Sequence, residues 1–157
     1  MEPGIEQEFR TLAAIRRFLA WTLAVGIIGT AIELLLLGHV EGAAQIAPLA
    51  LLALSACAFT WHIARPGALT VRLLQWTMTG FVLAGIVGIG LHVRGNVEFE
   101  RELYPSLAGI ELVEKTMTGA TPVFAPGSLV LLGLVGLAHT YRHPQSRSGA
   151  AAQEKGQ

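Results

Sequence analysis

Four stretches of this chain are too apolar and too nearly free of charge to be surface helices of a soluble protein, and this limits the fold more than any motif does. Crossing about 30 Å of hydrocarbon takes roughly 20 mostly apolar residues in a helix. Only a helix or a closed barrel satisfies its own backbone hydrogen bonds there. The stretch 18–38 holds one charged residue, Glu33. The stretches 45–64 and 73–93 hold none, and Arg65, Arg72 and Arg94 flank them. The last is less clean, because Pro122 and Pro126 precede its Leu/Val/Gly run. A helix over 126–142 is expected, since a proline in the first turn loses no hydrogen bond. The expected fold is therefore all-α: an integral membrane four-helix bundle with short amphipathic helices in an outer 92–121 loop.

Composition agrees: 52% hydrophobic against 14% charged residues and a mean hydropathy of +0.54 describe a membrane protein rather than a soluble domain. Eleven acidic residues balance eleven Lys and Arg, so there is no global basic field to hold nucleic acid by counterion release. The single cysteine, Cys57, excludes an internal disulfide and a Cys-x-x-Cys pair.

Lysine and arginine set the expected orientation, because cytoplasmic flanks retain positive charge. With four spans, Arg10, Arg16, Arg17, Arg65, Arg72, Arg142, Arg147 and Lys155 share one side, and Arg94, Arg101 and Lys115 the other. Both termini are expected in the cytoplasm of a bacterial cell, with the chain in the inner membrane. Arg16-Arg17 before an apolar run resembles a signal segment, but the run is long and Glu2, Glu6 and Glu8 precede it, so a cleaved leader is not expected.

Three regions lie outside the 18–143 transmembrane domain or between its spans. Residues 1–17 form a cytoplasmic amphipathic segment with Ile5, Phe9, Leu12 and Ile15 on one face, either lying on the membrane or simply extending the first span. Residues 144–157, rich in Ser, Gly, Ala and Gln, read as a disordered cytoplasmic tail. In the outer loop, Asn96 is expected to cap one short helix that Pro105 ends. Ser106 is expected to cap a second, with Leu107, Ile110, Val113 and Met117 on its apolar face. That face suits the membrane interface, a lid on the bundle, or a docking partner.

Small residues are expected to carry the packing, because lipid gives helices no hydrophobic reason to meet. Gly80, Ala84 and Gly88 recur at four-residue spacing in the third span, Gly133 and Gly136 in the fourth, and Gly26 and Thr30 in the first. Gln75, Thr77, Thr79, Ser55 and Thr60 are candidates for hydrogen bonds between helices. Trp21, Trp61, Trp76 and Tyr141 read as interfacial anchors.

Glu33 is the one intramembrane ionisable residue, and such a group needs a partner or a proton. Its expected partners are the free backbone N–H groups of Gly127, Ser128 and Leu129 at the start of the fourth helix, or His39, His92 and Arg94. A proton or ion relay and snorkelling to the interface are the alternatives.

Four histidines end the spans in two pairs: His39 and His92 outside, His62 and His139 inside. The layout resembles the ligand placement of four-helix di-haem membrane cytochromes of b type. That resemblance implies haem b and electron transfer. His139 and His143 have the i, i+4 spacing of a zinc pair, but no glutamate accompanies them and Pro144 follows at once.

No enzyme is expected: the chain has no aspartate, no P-loop and no nucleophile elbow. Three functions remain open. The first is an accessory or structural membrane subunit, packing on a membrane-protein partner or a second copy through small-residue faces and an acidic outer loop. The second is a haem b electron-transfer subunit. The third is a small transporter or channel subunit that uses Glu33.

Overall fold

A computed structural model describes residues 3–144. It is all-helical, with no strand among the described residues: α1 Pro3–Leu36, α2 Ala43–Ala64, α3 Ala68–Leu103, α4 Gly109–Met117 and α5 Gly127–Thr140. α1, α2 and α3 are long and apolar enough to cross a membrane, and α5 is a shorter apolar helix. The expected tail over 145–157 lies outside the described residues.

α1 packs on α2 and α5, and α3 packs on α2 and α5, so these four helices close a ring; α4 sits against α3 alone. The core is the seam they share: Leu23, Ile27, Leu52, Leu74, Met78, Phe81, Leu129 and Leu132. Large apolar side chains also cover the outside, among them Phe18, Trp21, Val25, Leu54, Trp76, Ile86 and Leu131. A surface with this much exposed apolar area needs lipid or protein against it.

Glycine sets the spacing between α5 and its neighbours. A Cβ on Gly133 would stand 2.6 Å from the Met78 carbonyl oxygen, and one on Gly85 would stand 2.8 Å from the Pro126 carbonyl oxygen. Gly26 meets Leu132, Gly136 meets Met78, and Gly88 meets the Pro126 ring. Gly80 has only the end of Leu51 nearby, Thr30 and Ala84 are half-buried, and Gly90 has open space. The hydroxyls contribute little between helices: Thr77 and Thr79 donate to Leu74 and Gln75 of their own helix. Ser55 is fully buried, its hydroxyl without a partner among the described residues, and Thr60 is exposed.

Two elements run further than hydropathy suggests. α1 is unbroken from Pro3, so the 3–17 segment extends the first span rather than forming a separate surface helix. At 1.5 Å per residue it is about 51 Å long. α3 likewise runs through Asn96 to Leu103. The expected cap at Asn96 does not exist, because Val97–Leu103 continues a helix already formed and Asn96 lies inside it. The second loop helix, α4, starts at Gly109, and its N-cap is Ala108 rather than Ser106.

Candidate functional site

The polar side chains gather at the two ends of the ring of helices. At one end, here the hairpin end, α1 stops with Gly38 at φ 63°, and His39 N–H donates back to the Leu34 carbonyl. This is the glycine-dependent helix stop in which a left-handed residue lets the chain turn away. It leaves the His39 side chain beside the start of α2 and the hairpin end of α3. His39, Gln45, His92, Gly95, Asn96 and Thr121 line a cavity of about 410 Å³, floored by Pro48, Ala84 and Leu129. That volume is toward the small end of the range for small-molecule sites.

Asn96 builds the wall of this cavity. Its amide nitrogen donates to the carbonyls of Thr116 and Thr121, both at 2.8 Å. Its Oδ1 accepts from the Thr121 hydroxyl at 2.6 Å and the Thr121 N–H at 3.1 Å. All four groups of the amide are engaged with the end of α4 and the segment after it, which is why Asn96 is 2% exposed. Asn96 is the functional-end residue that sequence reasoning misplaced. Its signal in the sequence is that it is the one asparagine of the chain, between the third apolar run and the charged stretch that follows.

His92 Nδ1 lies 2.9 Å from the Pro122 carbonyl oxygen. A carbonyl only accepts, so Nδ1 carries the proton and Nε2 of the neutral ring keeps its lone pair. Gln45 Oε1 accepts from the Glu41 N–H at 2.8 Å, leaving its NH₂ free to donate elsewhere. No Asp, Glu, Lys or Arg lines the cavity.

α4 turns its inner face, Thr116 and the half-buried Leu112, toward α3, so Ile110, Val113 and Met117 point away from the protein. Leu107 is half-buried in the turn that follows Tyr104. The stripe therefore does not lid the cavity.

Glu33 does not join this site. It is exposed on α1, and its carboxylate makes no hydrogen bond or ion pair among the described residues. Of the expected partners, the N–H groups, Arg94 and His92 are already engaged, and His39 lines the hairpin-end cavity. The N–H groups of Gly127, Ser128 and Leu129 donate to the carbonyls of Phe124, Ala125 and Pro126, supplied by the turn before α5. Arg94 pairs with Glu98 at 2.7 Å, one turn along its own helix. His92 is turned to Pro122.

At the opposite, arginine end, the Arg16 guanidinium donates to the carbonyls of Tyr141 (3.4 Å) and Arg142 (3.2 Å), closing the C-terminus of α5. The Arg16 carbonyl in turn accepts from His139 Nδ1 at 3.1 Å. His62 stands 3.3 Å from the Thr70 hydroxyl, which also accepts the Gly67 N–H at the start of α3. The rings of His62, His139 and His143 meet at centroid distances of 5.6 Å (His62–His139), 5.1 Å (His62–His143) and 6.3 Å (His139–His143). His143 lies past the end of α5, and burial, then Arg16, then His139 hold its pKa below the usual 6.5.

This cluster does not fit haem. His62 and His139 are in direct edge-to-face contact, ring centroids 5.6 Å apart, with His143 against them, whereas a bis-histidine haem needs two imidazole nitrogens aimed at one iron from opposite faces of a macrocycle that fills the space between the rings. Nor does it form a zinc centre: no group of three His, Cys, Asp or Glu among the described residues is arranged to hold a metal. The three rings fill the space between the ends of α2 and α5 beside Phe59, with His139 Nε2 buried and without a hydrogen bond among the described residues.

Compared with known protein families, curated proteins and solved structures, the chain matches none. Function therefore rests on the geometry of this molecule alone.

Proposed function

We propose that this chain is a four-span protein of a bacterial inner membrane, a four-helix bundle with both termini in the cytoplasm, and that it serves as an accessory subunit of a larger membrane assembly. The observation that carries the reading is Glu33. α1 is among the most apolar helices of the chain, its best window reaching a mean hydropathy of 2.0. Yet it turns a carboxylate outward with no partner among the described residues. A charge facing hydrocarbon is costly, and intramembrane carboxylates nearly always face protein or water. A hydrogen-bond donor or cation on another subunit relieves that cost. The contact face is the one Glu33 shares at helical spacing with Gly29, Leu36 and Leu37, all exposed.

The orientation rests on charge and aromatic placement. The arginine end carries Arg10, Arg16, Arg17, Arg65, Arg72 and Arg142, with Trp21, Trp61, Trp76 and Tyr141 exposed near it. Basic flanks are what a cytoplasmic interface selects, and the aromatic belt marks this end as a membrane interface. Exposed Glu98, Glu102, Glu111 and Glu114 give the hairpin end an acidic surface suited to the opposite side.

The test is a photo-cross-linking amino acid at Leu36, activated in native membranes. A discrete protein adduct, lost in Glu33→Leu, supports the reading. Lipid adducts alone, together with a single-chain mass in native mass spectrometry from mild detergent, overturn it.

A further inference from the structure

The hairpin-end cavity has properties that the assembly reading does not use. No Asp, Glu, Lys or Arg lines it, so it offers no permanent charge to balance an ionic ligand. Its floor is apolar, formed by Pro48, Ala84 and Leu129, and its polar groups are few. The His39 ring stands at its mouth with no hydrogen bond among the described residues, and two further groups have been oriented by bonds inside the protein and have one function left over. His92, with Nδ1–H held by Pro122, presents an acceptor; Gln45, with Oε1 held by Glu41, presents a donor. Asn96 has nothing left to offer, because all four of its groups are committed to the wall. A complementary ligand is neutral, apolar over most of its surface, and carries one hydrogen-bond donor and one acceptor.

We propose that this cavity binds the ring head of a quinol-class amphiphile, one ring hydroxyl donating to His92 Nε2 and the other ring oxygen accepting from the Gln45 amide. The cavity sits beside the end of the third apolar run, where a membrane-soluble molecule with a polar ring head concentrates. The site discriminates by oxidation state. A quinol supplies both the donor and the acceptor, whereas a quinone only accepts and leaves the His92 lone pair buried without a partner. Leaving a buried polar group unsatisfied costs enough to weaken binding about tenfold.

Gly95 provides the means to close the site. It lines the cavity, and a Cβ added there meets no atom within 4 Å. A larger side chain therefore enters empty space without displacing the fold. The experiment is equilibrium binding to the full-length protein in detergent under anaerobic conditions, with three probes. They are a naphthoquinone bearing one isoprene unit, the same molecule reduced to its quinol, and 2-methylnaphthalene, which has the ring but no oxygen. The quinol is expected to bind about tenfold tighter than the quinone, and the hydrocarbon weakest. Gly95→Leu is expected to abolish binding of the quinol while leaving the unfolding temperature of the free protein unchanged or raised. His92→Leu, which removes the acceptor, is expected to bring quinol and quinone to equal affinity. Equal affinity of the wild type for all three probes, or undiminished quinol binding by folded Gly95→Leu protein, overturns the proposal. Neither result bears on the Glu33 contact, which lies on the outer face of α1.

Discussion

Asn96 and Thr121 are joined by three hydrogen bonds, of 2.6, 2.8 and 3.1 Å, that run between one side chain and the backbone and hydroxyl of the other. With the fourth bond to Thr116, a single buried amide fixes the whole 116–121 segment onto α3. Asn96→Ala removes all four bonds and leaves the Thr116 carbonyl and the Thr121 carbonyl, N–H and hydroxyl without these partners. A loss of about 2–4 kcal/mol is expected, at the upper end for one substitution. It is read as a lower midpoint of unfolding in detergent. Thr121→Val, which deletes only the hydroxyl, is expected to cost less than half as much.

The α3–α5 contact predicts a contrast between two glycines of similar sequence surroundings. Gly133→Ala places a Cβ against the Met78 carbonyl, which cannot swing aside, so α5 must shift; a destabilisation of about 1–3 kcal/mol is expected. Gly90→Ala meets nothing within 4 Å and replaces the weaker helix former, so stability is expected to be unchanged or slightly raised. Thermal unfolding of the two variants side by side checks this.

Glu33→Gln is expected to leave the isolated protein as stable as the wild type, because none of the described residues bonds to that carboxylate. Its effect belongs to the native membrane, where the assembly is expected to dissociate more readily on native gels. A fall of several degrees in the unfolding midpoint of the purified variant would return Glu33 to the interior of the bundle.

His143 predicts a pH dependence with a definite sign. Its folded-state pKa is depressed below 6.5 by burial, by Arg16 and by His139, with His62 also packed on the ring. Below pH 6.5 the unfolded chain therefore binds the proton more readily than the folded one. The stability held in the neutral ring is fully present above pH 6.5 and is lost as the pH falls through the window below it. Unfolding midpoints at pH 7.5 and pH 5.0 should differ, and His143→Gln should narrow the difference.

The apolar runs were legible because hydropathy over 20 residues is a strong signal, and three of them reappear as helices long enough to span. Their ends were less legible. Arg94 marks where lipid becomes unfavourable, but nothing at Arg94 stops a helix, and the following Gly-Asn-Val-Glu-Phe-Glu-Arg-Glu-Leu continues it to Leu103. Glu33 illustrates a second limit. Its depth could be counted along α1, but the side of the helix it occupies depends on which stripe packs, and α1 is apolar all round. Its expected partners at the start of α5 failed for a local reason: the turn over Pro122–Pro126 already supplies the carbonyls those N–H groups need. The His62–His139 pairing followed from depth alone, whereas the direct ring contact between them, and the third ring of His143 against both, are not revealed by spacing.

The brevity of α5 has a consequence for the surrounding lipid. Its 14 residues measure about 21 Å along the axis, well short of the hydrocarbon thickness that α1 and α3 overrun. On the four-span reading, acyl chains packed beside α5 must shorten or tilt while those across the molecule do not, so one protein carries a thin sector in its annulus. Molecules with that profile gather where the membrane is already compressed, and phospholipids with short tails should collect along this flank.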